Sequence, residues 1–131
     1  MSSPNVELVR SLFDAWGRGD YSATEWAHPE IEFAVVDGPS PGFWTGLEGM
    51  VAGYREVMNA WRDYRGSAER CLELDQERVL VLIDLSGRGR TSGLELEHGA
   101  AGLFHVRDGR VTRLALYFDR QRALADLGLA R

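Results

Sequence analysis

IEFAVVDGPSPGFWTGLEGMVAGYREVMNAW, residues 31–61, carries three signals in one segment. Ile31, Phe33 and Val35 alternate with Glu32, Ala34 and Val36, which is the period of a strand with one strongly apolar face. One more step puts Asp37 on that face, at the strand's exit. Gly38, Pro39, Ser40, Pro41 and Gly42 then turn the chain, because Pro fixes φ and Gly permits tight turns. After Phe43 and Trp44 a helix is expected from Leu47, with Leu47, Val51, Tyr54, Met58 and Trp61 along one face. A strand ending in a carboxylate, roofed by an aromatic-lined helix, predicts a pocket holding a polar group.

Working outward, Asn5 is a plausible helix cap, and Val6, Val9, Phe13 and Trp16 share a face up to Gly17. A short second helix is expected over Ser22–Ala27, ended by His28-Pro29. Beyond Trp61 the period changes to two. Strands are expected over Ser67–Asp75, Arg78–Leu85, Leu94–Val106 and Arg110–Phe118. Val79 to Ile83 is apolar at every position, which fits burial on both faces. Ser86–Gly93 reads as a turn, and Gly99 or Gly102 as a bulge. Asp108-Gly109 is the strongest hairpin signal in the chain. A last helix is expected over Asp119–Leu127, stopped by Gly128. Helices first and hairpin-linked strands afterwards define an α+β class, read as one domain over residues 1–131.

Bulk chemistry narrows the functions. The net charge of −5 argues against a nucleic-acid partner. All fifteen basic residues are Arg, so no lysine is available for a Schiff base. Cys71 is alone, and no basic-then-apolar leader opens the chain, so a reducing, cytoplasmic setting is expected. The longest apolar run is too short to span a bilayer. His28, His98 and His105 lack metal-ligand spacing, so no metal is expected. GRGRTSG, residues 87–93, faintly suggests a phosphate loop but joins two strands and opens no helix.

Three residues are candidates for chemistry. Asp37, at the end of an apolar stripe, would be a poorly solvated carboxylate suited to proton transfer, or else a turn residue capping the Gly-Pro loop. His98 shares a face with Leu94, Leu96 and Ala100 and could shuttle a proton, or simply be hydrogen-bonded at the sheet surface. Asp84 follows Leu80 and Leu82 and is expected to pair with Arg88. The aromatics Trp16, Trp26, Phe33, Phe43, Trp44, Tyr54 and Trp61 are candidates for lining a cavity, Trp44 and Tyr54 first among them. Trp16, Phe33, Trp44, Tyr54, Met58 and Leu116 form the expected ligand-binding set.

The ordered segments GRGD, WAHPEIEF, FWTGLEGM and GLFHVRDGRVTRLALYFDR, with ALADLGL, resemble the SnoaL-like group of the nuclear transport factor 2-like superfamily over nearly the whole chain. The resemblance implies a curved antiparallel sheet wrapped against helices into a cone-shaped barrel. It also implies a small hydrophobic ligand and cofactor-free acid/base chemistry, with isomerases, cyclases, dehydratases and epoxide hydrolases as family precedents. Asp37 matches the general-base aspartate of the ketosteroid isomerases. Their tyrosine falls at Leu12, their second aspartate falls in AAGL (residues 100–103), and the hydrolase aspartate falls at Leu116. A non-catalytic binding domain and a dimerisation module are the other family readings. A homodimer is expected through the outer sheet face, where Arg113, Ala115 and Tyr117 lie.

Overall fold

The computed structural model describes residues 3–18, 20, 25–38, 41–59, 61–89 and 95–129, with backbone alone at 63, 89 and 95–98. The elements are α1 (Pro4–Gly17), β1 (Ala27–Val35), β2 (Gly42–Thr45), α2 (Gly46–Asn59), β3 (Trp61–Glu73), β4 (Arg78–Gly89), β5 (Glu95–Arg107), β6 (Arg110–Tyr117) and α3 (Arg120–Asp126). The strands form a six-stranded sheet in the order β2-β1-β6-β5-β4-β3. The class is α+β, as expected, and the sheet curls into a half-barrel. It is mixed rather than wholly antiparallel, because β1 runs parallel to β6. The long connection between those two strands permits that direction, and no local pattern reveals it.

Local chemistry explains most boundaries. Ser3, not Asn5, caps α1: its hydroxyl accepts the N–H of Val6 at 3.2 Å, and Pro4 opens the first turn. Asn5 instead donates from its amide to the carbonyl of Gln76 at 2.9 Å. Residues 22–24 of the expected second helix lie outside the described residues. Ala27–Glu30 is strand, so His28-Pro29 opens β1 rather than closing a helix. The extended bias of a residue before proline serves either role, and the ladder of β1 with β6 is interrupted there. The four residues of β2, read as part of a loop, are too few for periodicity to show.

The expected stripe on α2 is rotated. Met50, Gly53 and Val57 are its buried residues, Val51 is 39% exposed, and Trp61 belongs to β3. The reason is Gly53. A Cβ at this position would lie 2.6 Å from the Trp44 ring, so the missing side chain is what lets the indole pack against the helix. Trp44 in turn stacks on Phe33 at 5.7 Å.

Strand β4 continues through Gly89, so Ser86–Gly89 is strand rather than turn; 90–94 lie outside the described residues. Its ladder with β5 is unbroken from Arg78↔His105 to Arg88↔Glu95, so neither Gly99 nor Gly102 is bulged there. Gly99 is glycine for another reason: the Arg120 guanidinium lies over it, with Cζ 3.0 Å from where a Cβ would be. Asp108 and Gly109 both have positive φ, 53° and 76°, which makes the expected two-residue hairpin turn.

Alternation sorts the side chains. Val79, Val81, Ile83 and Leu85 join Phe104, Leu114, Leu116, Ile31 and Phe33 on the inner face, against α1 and α2. Leu80, Ala101, Leu103, Ala115 and Tyr117 form an outer cluster with Ala123 of α3. The continuous apolar run in β4 follows from this burial on both sides. Ala115 and Tyr117, two residues of the expected pairing surface, are therefore buried within the chain itself. Arg113 lies 3.9 Å from Glu32. Among the described residues no helix is long and apolar enough to cross a membrane.

Gly53→Ala sets two effects against each other. Helix propensity favours alanine by about 1 kcal/mol. Overpacking against Trp44 costs roughly 1–3 kcal/mol. The expected net result is destabilisation in urea unfolding, and the same substitution in a Trp44→Ala background should cost less, with the Phe33 ring, 3.0 Å from the added Cβ, as the remaining obstacle.

Candidate functional site

Between the inner face and the two long helices lies a cavity of ≈ 30 Å³. Its wall is Phe13, Trp16, Phe33, Tyr54, Tyr64, Gly66, Ile83, Leu85, Gly102, Phe104, Leu114 and Leu116. The rings contact one another in a chain. Phe13 meets Trp16 at 5.1 Å and Phe104 at 6.0 Å, Trp16 meets Tyr54 at 6.2 Å, and Tyr54 meets Phe33 at 6.1 Å. The volume suffices for a water molecule and is far below the few hundred Å³ of a typical ligand pocket. In this conformation the half-barrel is filled by its own aromatic side chains.

Of the six residues expected to bind a ligand, Trp16, Phe33, Tyr54 and Leu116 are on the wall. Trp44 stands behind Phe33 as its stacking support, and Met58 is half-buried off the wall. Phe13, Tyr64 and Phe104 are wall residues that sequence reasoning did not single out. Alternation through GLFHV would have placed Phe104 inward; Tyr64 was missed because β3 starts six residues earlier than its apolar pattern does. The polar groups on the described wall are the tyrosine hydroxyls and the Trp16 indole. It carries no carboxylate and no imidazole.

Asp37 is elsewhere. The backbone N–H of Phe118 donates to its Oδ1 at 2.6 Å, and that of Asp119 to its Oδ2 at 3.4 Å. The carboxylate thus ties the exit of β1 to the exit of β6. Gly38 follows with φ 90°, and a Cβ there would lie 2.4 Å from the Phe118 ring, so glycine is required on both counts. Asp84 is on the outer face with its side chain 63% exposed, 3.7 Å from Arg120. Its ion-pair contact is with α3, not the expected Arg88 on its own strand. Arg120 also meets Glu69 at 2.8 Å and donates to the carbonyls of Ile83 (3.0 Å) and Ala100 (3.3 Å). His98 is described by its backbone alone, which pairs with wall residue Leu85. Asp37 and Asp84 thus engage different partners, and the side chain of His98 lies outside the described residues.

The match to known proteins follows this architecture. Residues 9–114 match the SnoaL-like domain, which is most of the chain. The chain belongs to the SnoaL-like domain family. Solved structures with the same fold include an NTF2-like protein of unknown function from Burkholderia pseudomallei, with TM-score 0.79, 21% identity, and 95% of this chain and 97% of that one covered. TerC, co-crystallised with polyporic acid, superposes with TM-score 0.76 at 21% identity over 97% and 98% of the two chains. A candidate SnoaL-like polyketide cyclase from Jannaschia sp. CCS1 gives TM-score 0.75 at 20% identity over 96% and 90%. At such identities the likeness is one of fold. No curated protein matches the sequence.

Outside the half-barrel, this SnoaL-like chain has a surface groove of ≈ 430 Å³ lined by His28, Glu30, Glu32, His105, Thr112 and Arg113. Nδ1 of His28 accepts the N–H of Glu30 at 3.0 Å. Among the described residues no three His, Cys, Asp or Glu side chains are grouped to hold a metal. Burial, then Arg113 and Arg78, pull the His105 pKa below its ordinary 6.5, against the opposing pull of Asp75 and Glu77.

Two expectations follow for this SnoaL-like domain. Asp37→Ala leaves two amides without their acceptor and should cost about 1.5–3 kcal/mol in urea unfolding, with an unchanged m-value. His105 binds its proton less readily folded than unfolded, so its contribution to stability is present above 6.5 and is lost as pH falls below it. His105→Gln should flatten the stability profile in that acidic window, measured by denaturation midpoints across pH.

Proposed function

We propose that this SnoaL-like chain binds a small, flat, hydrophobic molecule inside its half-barrel. The observation that carries the reading is the wall itself: aromatic and aliphatic side chains with hydroxyl groups at Tyr54 and Tyr64, and no carboxylate or imidazole among its described residues. Such a wall favours burial of an apolar guest and gives it a few polar handles. Phe33 and Phe104 are fully buried and form a fixed floor, whereas Trp16 and Tyr54 are half-buried. Entry of such a guest requires wall rings to move, because a cavity of ≈ 30 Å³ is too small, and half-buried Trp16 and Tyr54 have room to do so. TerC, a protein of the same fold, was co-crystallised with polyporic acid, which is in keeping with an organic guest. On this reading Asp37 is a seam between strands, its oxygens already engaged by amides.

One observation favours a catalytic version. His98 is paired through its backbone with wall residue Leu85. With that histidine as the proton carrier, the domain would be a cofactor-free isomerase, cyclase or hydro-lyase acting on a carbonyl or epoxide compound.

Calorimetric titration with two- and three-ring aromatic hydrocarbons and ketones tests the binding reading. The wild-type chain should bind members of the set. In stopped-flow mixing followed by tryptophan fluorescence, Trp16→Ala should associate roughly tenfold faster or more, since a ring that must move has been removed. No binding across the set by either protein would end the proposal. Turnover of a bound ketone that disappears in His98→Ala, with affinity kept, would establish the catalytic version.

A further inference from the structure

We infer that Trp61 is a specificity residue whose indole N–H donates a hydrogen bond to an acceptor oxygen on the bound molecule. The inference rests on the binding reading above and adds to it the class of ligand: a flat ring system bearing a carbonyl-type oxygen.

Trp61 opens β3, and its backbone pairs with Gly89. Residues opposite one another in an antiparallel ladder present their side chains on the same face. Gly89 continues the alternation of Val79, Val81, Ile83 and Leu85, which is the inner face. Trp61 is therefore on the concave side, at the strand end beyond the cavity. The β3 register slips between Arg62 and Arg65, and this irregularity keeps Trp61 and the wall residue Tyr64 on one side of the strand. Across from the ring are Gly87 and Gly89, which offer no side chains; a Cβ on Gly87 would lie 3.6 Å from Trp61 Cβ.

Trp61 as a whole is only half-buried, yet its Nε1 is sealed from solvent and has no hydrogen-bond partner among the described residues. Buried donors are paired in the great majority of cases, so an orphan on the concave face of a binding fold calls for a partner. An indole N–H only donates and does not titrate, whereas a tyrosine hydroxyl can donate or accept. The complementary group must therefore be an acceptor at any ordinary pH. A hydrocarbon guest would leave the donor unmade; a ketone or quinone oxygen would satisfy it.

Fluorenone and fluorene form a matched pair, identical in skeleton and differing by C=O against CH₂. Titrated calorimetrically into the full chain, fluorenone should bind roughly threefold to tenfold more tightly, the range expected for one net hydrogen bond. Trp61→Phe should abolish that preference, so that the variant binds fluorenone and fluorene equally. A measurement that needs no stable variant is the indole ¹H–¹⁵N spectrum of the wild-type chain, in which one of the four tryptophan signals should move with fluorenone and stay in place with fluorene. Equal affinity for the two compounds, or an equal loss of both in Trp61→Phe, overturns the inference and leaves the binding reading standing. Failure of both compounds to bind overturns the binding reading and the inference together.

Discussion

A sheet that curls on itself encloses a hollow, and something must fill it. Here the filling is the protein's own aromatic rings. Phe13, Phe33, Phe104, Trp16, Tyr54 and Tyr64 converge from both long helices and three strands. The rest of the structure accommodates them. Gly53 is bare so that Trp44 can support Phe33 from behind. Gly66 and Gly102 keep the strand walls low where the rings are bulkiest. Packing is close enough that only ≈ 30 Å³ remains, and the energy of that packing is what any guest must match when it displaces a ring.

The outer face obeys a different rule. Alanines there sit among Leu80, Leu103 and Tyr117, and seven-residue α3 lies over them. Arg120 secures that helix, reaching carbonyls of β4 and β5 and the carboxylate of Glu69 on β3. Tyr117 adds a bond from its hydroxyl to Asp126 at 3.3 Å, and burial together with that carboxylate pushes its phenol pKa up. A surface expected from its sequence to meet a second chain is thus largely committed within this one.

The architecture was legible because period and punctuation are local. The helix up to Gly17, the four late strands, the Asp108-Gly109 turn and the final helix all follow from alternation and turn chemistry in short windows. Where the reading slipped, the deciding term was nonlocal. The inward face of α2 is set by a glycine that hydrophobicity counts as empty, yet it receives a tryptophan from β2. Asp37 reads as a carboxylate on an apolar face, but its partners are amides 81 and 82 residues away. Asp84 shares an alternation with Arg88, but an arginine from a later helix reaches it. Four of the wall residues were visible as bulky side chains at inward positions. Tyr64 lay in a stretch too rich in arginine for the period to show.

The parallel pairing of β1 with β6 has a consequence for how the chain is made. Strands β3 to β6 follow one another and can zip as a local meander, with little loop entropy to overcome. β1 cannot join until β6 exists, and β6 is made after every other strand of the sheet. Until then α1, β1 and α2 have half of their hollow missing, with the apolar faces of Val9, Phe13 and Phe33 uncovered. The slow and aggregation-prone interval in the life of this chain should therefore come before β6 has emerged, while α1, β1 and α2 wait for the strand that closes the half-barrel.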